Sequence, residues 1–431
     1  MKLASWSRLR YPKNVERYSF LQFFGNNVVA SEFDEWKLYR RIVAPAFSDR
    51  NNALVWDEAL YAIEGLINDV WKNAKEVHVG DVQSVALSSA LFVISFGRSI
   101  SWIENEAVPP GHKMSFKEAM VCASTNVPLY FSTPDWVPGI SEKLRRVRVA
   151  FDELEKYMSE MVRERRLAAG SFERCDLLTR LLEENDQDAS AMDMRGILCG
   201  CGHNIDMQTL AHTICFALAL LALYPEEQEK LYEHIKSVYP KDGRLPKYGD
   251  TTKFTQTMAV FNETLRMFPP VVSVPKVSAE DQVVTVWALD FGISEHYNAH
   301  MTGTRLSNGS KITIPCPAGT DVTFSISGMH YNPHYWDSPH EFRPDRFLGD
   351  WPKDAFAPFA IGTRACMGRK FAETEGVAML SHLISKYKVE IMDEPQFVGE
   401  SMAQRHERVL RTTGGLTLTP IRVPLTFRRR D

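Results

Sequence analysis

The chain has 431 residues, 44% of them hydrophobic and 24% charged, with a formal net charge of −4. It is long and apolar enough to bury one large core, and it carries no basic field that would hold nucleic acid or an anionic membrane surface. Its seven cysteines, Cys122, Cys175, Cys199, Cys201, Cys215, Cys316 and Cys366, are too few and too irregularly spaced for a disulfide framework, which implies a reducing compartment.

Residues 1–19 are polar, interrupted by Arg8, Arg10, Lys13 and Arg17. They contain neither a signal peptide nor the ~20 consecutive apolar residues of a spanning helix. Ser31-x-x-Asp34 has the pattern of a capping box, opening a helix with Trp36 and Arg40 one turn apart on one face. Taken alone, Trp36 reads as a half-buried aromatic and Arg40 as a surface charge. Helical periodicity recurs over residues 54–71, 88–95, 116–124 and 140–166, and Pro128, Pro134 and Pro138 punctuate the loop before the last of these. A polar loop at 183–188 precedes a long helix predicted to end before Pro225, apolar almost all round from Leu210 to Leu223 and therefore buried. Cys199, Cys201 and His203 lack the second ligand pair of a structural zinc site and read as incidental.

The next helix, over residues 253–268, presents Glu263 and Arg266 at i and i+3 and stops at Pro269-Pro270. Residues 271–277 read as extended, and 311–314 and 321–325 as short strands around Pro317-Ala318-Gly319, while 416–427 reads as a terminal hairpin with Gly414-Gly415 as a turn. Phe359, Gly362, Arg364, Cys366 and Gly368 then fall within ten residues, and a helical run follows from 369 to 387. A lone Cys is usually a small buried hydrophobe. Here the flanking glycines let backbone approach a flat ligand, and the helix start behind Cys366 favours thiolate over thiol. That arrangement suits a cysteine sulfur holding a haem, with Phe359 packed over it.

This pattern resembles the haem-binding signature of the cytochrome P450 family. Three further family motifs occur in order: Trp36 and Arg40 as W-x-x-x-R, Glu263 and Arg266 as E-x-x-R, and Pro344, Arg346 and Phe347 as P-x-R-F. The likeness is greatest to fungal microsomal members. It implies a mainly helical fold with a smaller β-rich lobe, organised as one domain over residues 1–431. It also implies haem b as cofactor, with Cys366 as its axial ligand, Trp36, Arg40, Lys276 and Arg364 as anchors of its propionates, and Val271, Val272 and Val274 lining its pocket. Glu263, Arg266 and Arg346 would form a buried network bracing the cysteine loop. The implied reaction inserts one oxygen atom from O2 into an apolar small molecule, with electrons from NADPH through a cytochrome P450 reductase that docks near Lys37, Arg41, Arg369 and Lys370. A monomer is expected. The rivals are a haem- or lipid-binding remnant and a peroxide-using haem-thiolate enzyme.

Three departures from the family accompany the resemblance. Relatives begin with a membrane anchor, a first helix and first strands, so this chain is expected to be truncated and cytoplasmic or peripheral rather than held in the endoplasmic reticulum membrane. Residues 287–303 look like an insertion where relatives have a compact hairpin. In the long helix, an ungapped alignment puts Thr209 at the oxygen-activating alcohol but Gln208 where relatives carry an acid. Alternatively Gly202-His203-Asn204 is the remnant of that motif, separated from Thr209 by four inserted residues, about one helical turn.

Overall fold

The computed structural model describes residues 9–22, 25–83, 85–86, 102, 108–133, 141–167, 182, 203–287, 311–414 and 417–430. The expectations on residues 88–95, the 183–188 loop, Cys199 and Cys201, the inserted stretch, the side chains at 203–207 and the Gly414-Gly415 turn lie wholly or partly outside that set.

Helix α1, Phe33–Val43, carries Trp36 and Arg40 as expected, but the capping box does not form. Glu32 is the N-cap, and its carboxylate accepts from Phe33 N–H at 3.4 Å and Lys13 N–H at 3.2 Å. Ser31 is wholly buried, Asp34 pairs with Lys37 at 2.7 Å, and it is Glu32 that takes the first amide of the helix. Helix α2, Asp49–Gly65, starts earlier than periodicity indicated because Ser48 caps it, its hydroxyl accepting from Asn51 N–H at 3.4 Å. One π-helical turn, Leu66–Val70, continues it. Strand β1 is Glu76–Val79.

Helix α3, Phe116–Thr125, is capped by Ser115. Pro128, read as loop punctuation, instead sits in the first turn of a short helix α4, Val127–Ser132, where a missing N–H costs no hydrogen bond. Helix α5, Glu142–Leu167, packs against α3. The central helix α6, His203–Leu223, is buried on every side from Leu210 to Leu221, as its apolar circumference requires. It breaks at Tyr224, and α7, Pro225–Val238, starts on the proline. Among the described residues no single helix is long and apolar enough to cross a membrane.

Helix α8 is Thr255–Met267. Strand β2, Ser273–Val277, pairs antiparallel with β5, Asp321–Ser325, while β3, Gln282–Trp287, pairs with β4, Lys311–Cys316. A helical turn α9, Ile326–His330, follows β5, and α10, Arg369–Lys386, runs directly into β6, Tyr387–Ile391. Helix α11 is Met402–Val409. The tail is not a hairpin of its own: β7, Thr412–Thr413, pairs with β8, Thr419–Pro420, and β9, Leu425–Arg429, lies between β1 and β6. A strand bonded on both edges needs two partners, and both lie far away in sequence, so the local pattern could not reveal them. One hydrophobic cluster runs from Val28 to Phe427, with α6, α8 and α10 through its middle.

Candidate functional site

A cavity of about 350 Å³ lies between α6 and the loop that leads into α10. Thr209, Leu210 and Thr213 line it from α6, Phe261 and Leu265 from α8, Val271 and Val274 from the β2 segment, and Phe359 to Gly368 supply most of the facing loop. Val272 was expected on this wall and is not among its lining residues; its carbonyl accepts from Ile326 N–H at 2.9 Å, at the start of the turn after β5.

The cysteine loop is a tight turn. Ala360 and Gly362 have φ of 55° and 79°, and the turn closes with Ala365 N–H donating to Gly362 O at 3.1 Å and Cys366 N–H to Phe359 O at 2.9 Å. Gly368 has an ordinary φ of −78°, and a Cβ there would make ordinary van der Waals contact, 3.5 Å from the Phe47 ring and 3.8 Å from Cys366 Sγ. Gly368 also N-caps α10, which sets Cys366 just before the first free amides of that helix. Of the described cysteines, Cys215 and Cys316 are buried and Cys122 half-buried, whereas Cys366 is exposed and on the cavity wall.

One end of the cavity gathers cations. Arg364 lies 4.6 Å over the Trp36 ring and Arg40 5.5 Å from it. Arg364 also donates to Val28 O at 3.2 Å and to Ser31 O, and pairs with Glu32 at 3.0 Å. Lys276 comes from β2. Lys13, which sequence reasoning passed over as a polar interruption, stands beside it through a main-chain bridge between the two lysines. Its Nζ donates to Val29 O at 2.5 Å and lies 4.0 Å over the Tyr18 ring. Burial, and then the positive charges of Arg364 and Lys276, push its pKa down to about 7. A crowded, partly desolvated set of cations opposed within the protein by Glu32 is a place for further negative charge.

A family model described as "Cytochrome P450" matches residues 7–290 and 309–415. The chain belongs to the cytochrome P450 family. Cytochrome P450 monooxygenase 124 of Postia placenta is 42% identical over the whole of this chain and 81% of its own length. The cytokinin hydroxylase of Arabidopsis thaliana is 26% identical over 90% of this chain and 70% of its own length. The crystal structure of the cytochrome P450DA heme domain superposes with a TM-score of 0.75 over 99% of this chain and 85% of that one, at 21% identity, which bears on the fold alone. The P450 is thus a mainly helical oxidoreductase of the monooxygenase class with haem as cofactor. The family model skips residues 291–308, overlapping the stretch that read as an insertion.

The residues of this P450 fit haem: an apolar slot, an open sulfur on one face, and cations at one end for two carboxylates. Behind the cysteine loop stands the expected network. Glu263 and Arg266 are fully buried and joined by two bonds of 2.7 and 3.0 Å, and Arg346 reaches Glu263 at 3.0 Å. Arg343 N–H adds a fourth bond to Glu263 at 2.9 Å. Arg266 also donates to the carbonyls of His330 and Pro339, at 3.0 and 2.8 Å, so the pair ties α8 to α9 and to the segment after it.

On α6, Thr209 reaches the cavity, and so does Thr213, which sequence reasoning did not single out; its hydroxyl donates to Thr209 O at 2.7 Å. Gln208 is buried but is not among the lining residues. His212, between them in sequence, faces away, 3.1 Å from Gln83 Nε2 and 3.1 Å from Thr417 Oγ1, and burial lowers its pKa to about 4. Of the four cations expected to dock a reductase, Lys37 is paired with Asp34 at 2.7 Å and Arg369 with Glu373 at 2.8 Å, and Arg41 and Lys370 are exposed.

Proposed function

We propose that Cys366 is the residue whose thiolate would hold the iron of haem b, and that the enzyme inserts one oxygen atom from O2 into an apolar small molecule with electrons from NADPH delivered by a reductase. The observation that carries this reading is the exposed Cys366 sulfur on the cavity wall at the start of α10. Amides at a helix N-terminus hold thiolate in preference to thiol. Bound haem supplies the iron that activates oxygen, and its thiolate ligand favours O–O cleavage. The chain's own residues do the rest. Arg40, Lys276 and Arg364 would neutralise the propionates, Trp36 would offer them its indole N–H, and Phe359 and Gly362 shape the turn on which Cys366 sits. Gly368 caps the helix behind the sulfur. Leu210, Val274 and Phe261 keep water from the reacting face. Thr209 would hold and relay a proton at its hydroxyl on the cavity wall, with Gln208 in the neighbouring position of the acid.

A single domain over residues 1–431 and a monomeric enzyme complete the proposal; the large cluster that runs from Val28 to Phe427 supports the former. Reductase docking is assigned to the basic face of Lys37, Arg41, Arg369 and Lys370, all of them exposed. The test is the carbon monoxide complex of the reduced protein, which should show the red-shifted thiolate band and lose it in Cys366→Ser. Retention of the band in that variant would refute the ligand assignment. A spin-shift screen of apolar compounds tests the substrate class.

A further inference from the structure

His330 closes α9 and is fully buried. Its Nδ1 lies 3.1 Å from the carbonyl oxygen of Arg266, and Ala357 N–H points at its Nε2 at 3.0 Å. A carbonyl only accepts and an amide N–H only donates, so both contacts hold together in one form alone: neutral imidazole with its proton on Nδ1. Protonation would set two N–H groups against each other at Nε2. Arg266 grips the same residue a second time, its guanidinium donating to His330 O at 3.0 Å.

The other partner matters as much. Ala357 begins the stretch that forms the cavity wall, its carbonyl accepts from Ala360 N–H at 3.0 Å, and Phe359 O takes the N–H of Cys366 at 2.9 Å. A continuous line of bonds therefore leads from the Glu263–Arg266 pair through the imidazole into the turn that carries the sulfur. Among the described residues, neither Glu263 nor Arg266 bonds to that turn, and the His330 ring spans the gap.

We propose that His330 is a positioning residue for Cys366: its neutral ring carries the placement of the buried Glu263–Arg266 pair to the cysteine loop, and its protonation frees that loop. The proposal rests on Cys366 being the iron ligand. Against the ring among the described residues lie the Arg266 carbonyl and charge from α8, the Ala357 amide and the Phe356 ring stacked at 5.3 Å, while the Glu263 carboxylate bonds to Arg266 and Arg346. No described carboxylate touches the imidazole to hold a proton on it. Burial, with the Arg266 charge, accordingly lowers its pKa to about 4, against 6.5 in an unfolded chain.

The experiment uses the haem-loaded protein and two readouts: the fraction of thiolate band in the reduced carbon monoxide complex, and the rate of haem loss to an excess of apomyoglobin. His330→Phe keeps a buried ring but leaves Ala357 N–H without its acceptor. It should lose haem roughly tenfold faster, the weight of one unsatisfied buried donor, and shift the band toward its thiol position. His330→Gln offers Ala357 an amide oxygen that does not titrate. It should restore the thiolate band at neutral pH and retain it as pH falls through about 4, where the unmodified protein loses it. If His330→Gln follows the same pH profile as the unmodified protein, the proposal is wrong, whether or not His330→Phe folds. Absence of the thiolate band from the unmodified protein at every pH would instead indict the assignment of Cys366.

Discussion

Ala360 stands with φ of 55° in the cysteine turn, in a region where a Cβ crowds its own backbone. Two residues on, Gly362 takes φ of 79° without that penalty. Phe33, at the start of α1, is a second non-glycine residue there, with φ of 52°. The two positions differ in what replacement removes: Phe33 would lose a large half-exposed ring, and Ala360 only a methyl group. Ala360→Gly is therefore expected to raise stability by about 1 kcal/mol, the reverse of placing alanine at a left-handed glycine site. Chemical denaturation of the haem-loaded protein checks this, and a decrease would show that the methyl packs usefully in the turn. At this scale the sequence was most readable where one atom dictates its neighbours, as with the spacing around Cys366. Lys13 was not readable, because what gives it meaning is a strand bridge to Lys276 and the charge of Arg364. Neither leaves a mark near residue 13.

Two helices cross at a point that helical periodicity does not disclose. A Cβ on Gly376 in α10 would lie 2.4 Å from Cε2 and 2.8 Å from Cδ2 of the buried Phe261 ring in α8. The glycine lets the helices approach, and Phe261 in turn forms part of the cavity wall. Gly376→Ala should cost about 1–3 kcal/mol as overpacking and accelerate haem loss through the displaced ring. Adding Phe261→Leu should recover part of the stability; a double variant no better than the single would mean that the strain goes elsewhere. Helix α6 poses the functional counterpart. An amide cannot exchange a proton at neutral pH as a carboxyl can, and a positioned acid-base group contributes ~10²–10⁴-fold. With Gln208 buried off the cavity wall and Thr209 on it, much of the electron flow is expected to end as peroxide. Product formed per NADPH consumed measures this, and Gln208→Glu should raise the ratio. Tight coupling in the unmodified chain would defeat the idea, whereas no gain from Gln208→Glu would favour the alignment with an inserted turn. The extent of α6 was legible from its apolar circumference, but the start of α2 and the partners of β9 were not. Their determinants are a single capping hydroxyl and strands distant in sequence.

Across the whole molecule, the buried ionisable groups set how the fold responds to acid. His212 and His330 have pKa values lowered to about 4 by burial, and those of His234 and His406 are also lowered. A histidine with a depressed folded-state pKa binds fewer protons than its unfolded counterpart, so between pH 6.5 and 4 the unfolded chain takes up more protons and stability falls as pH falls. Each of the two deeply buried rings contributes at most roughly 3 kcal/mol over that window. A second stage lies lower. Glu64, through its bond to His382, and Glu400, through bonds to Arg408, are lowered to about 2, and the stability they contribute above their unfolded pKa is lost as pH falls toward that value. Asp57 and Glu58, raised by burial, act in the opposite sense, near and below the bottom of the histidine window. The expected profile is a thermal midpoint that declines from about pH 6.5, before carboxylates begin to titrate in number. Scanning calorimetry from pH 7.5 to 4 tests it on the unmodified protein and on His212→Gln, which keeps an amide for Gln83 and Thr417 but carries no titrating proton. That variant should flatten the first stage while leaving the second. A midpoint constant down to pH 4.5 in the unmodified protein would show that these histidines titrate alike in the folded and unfolded states, and that burial does not govern them.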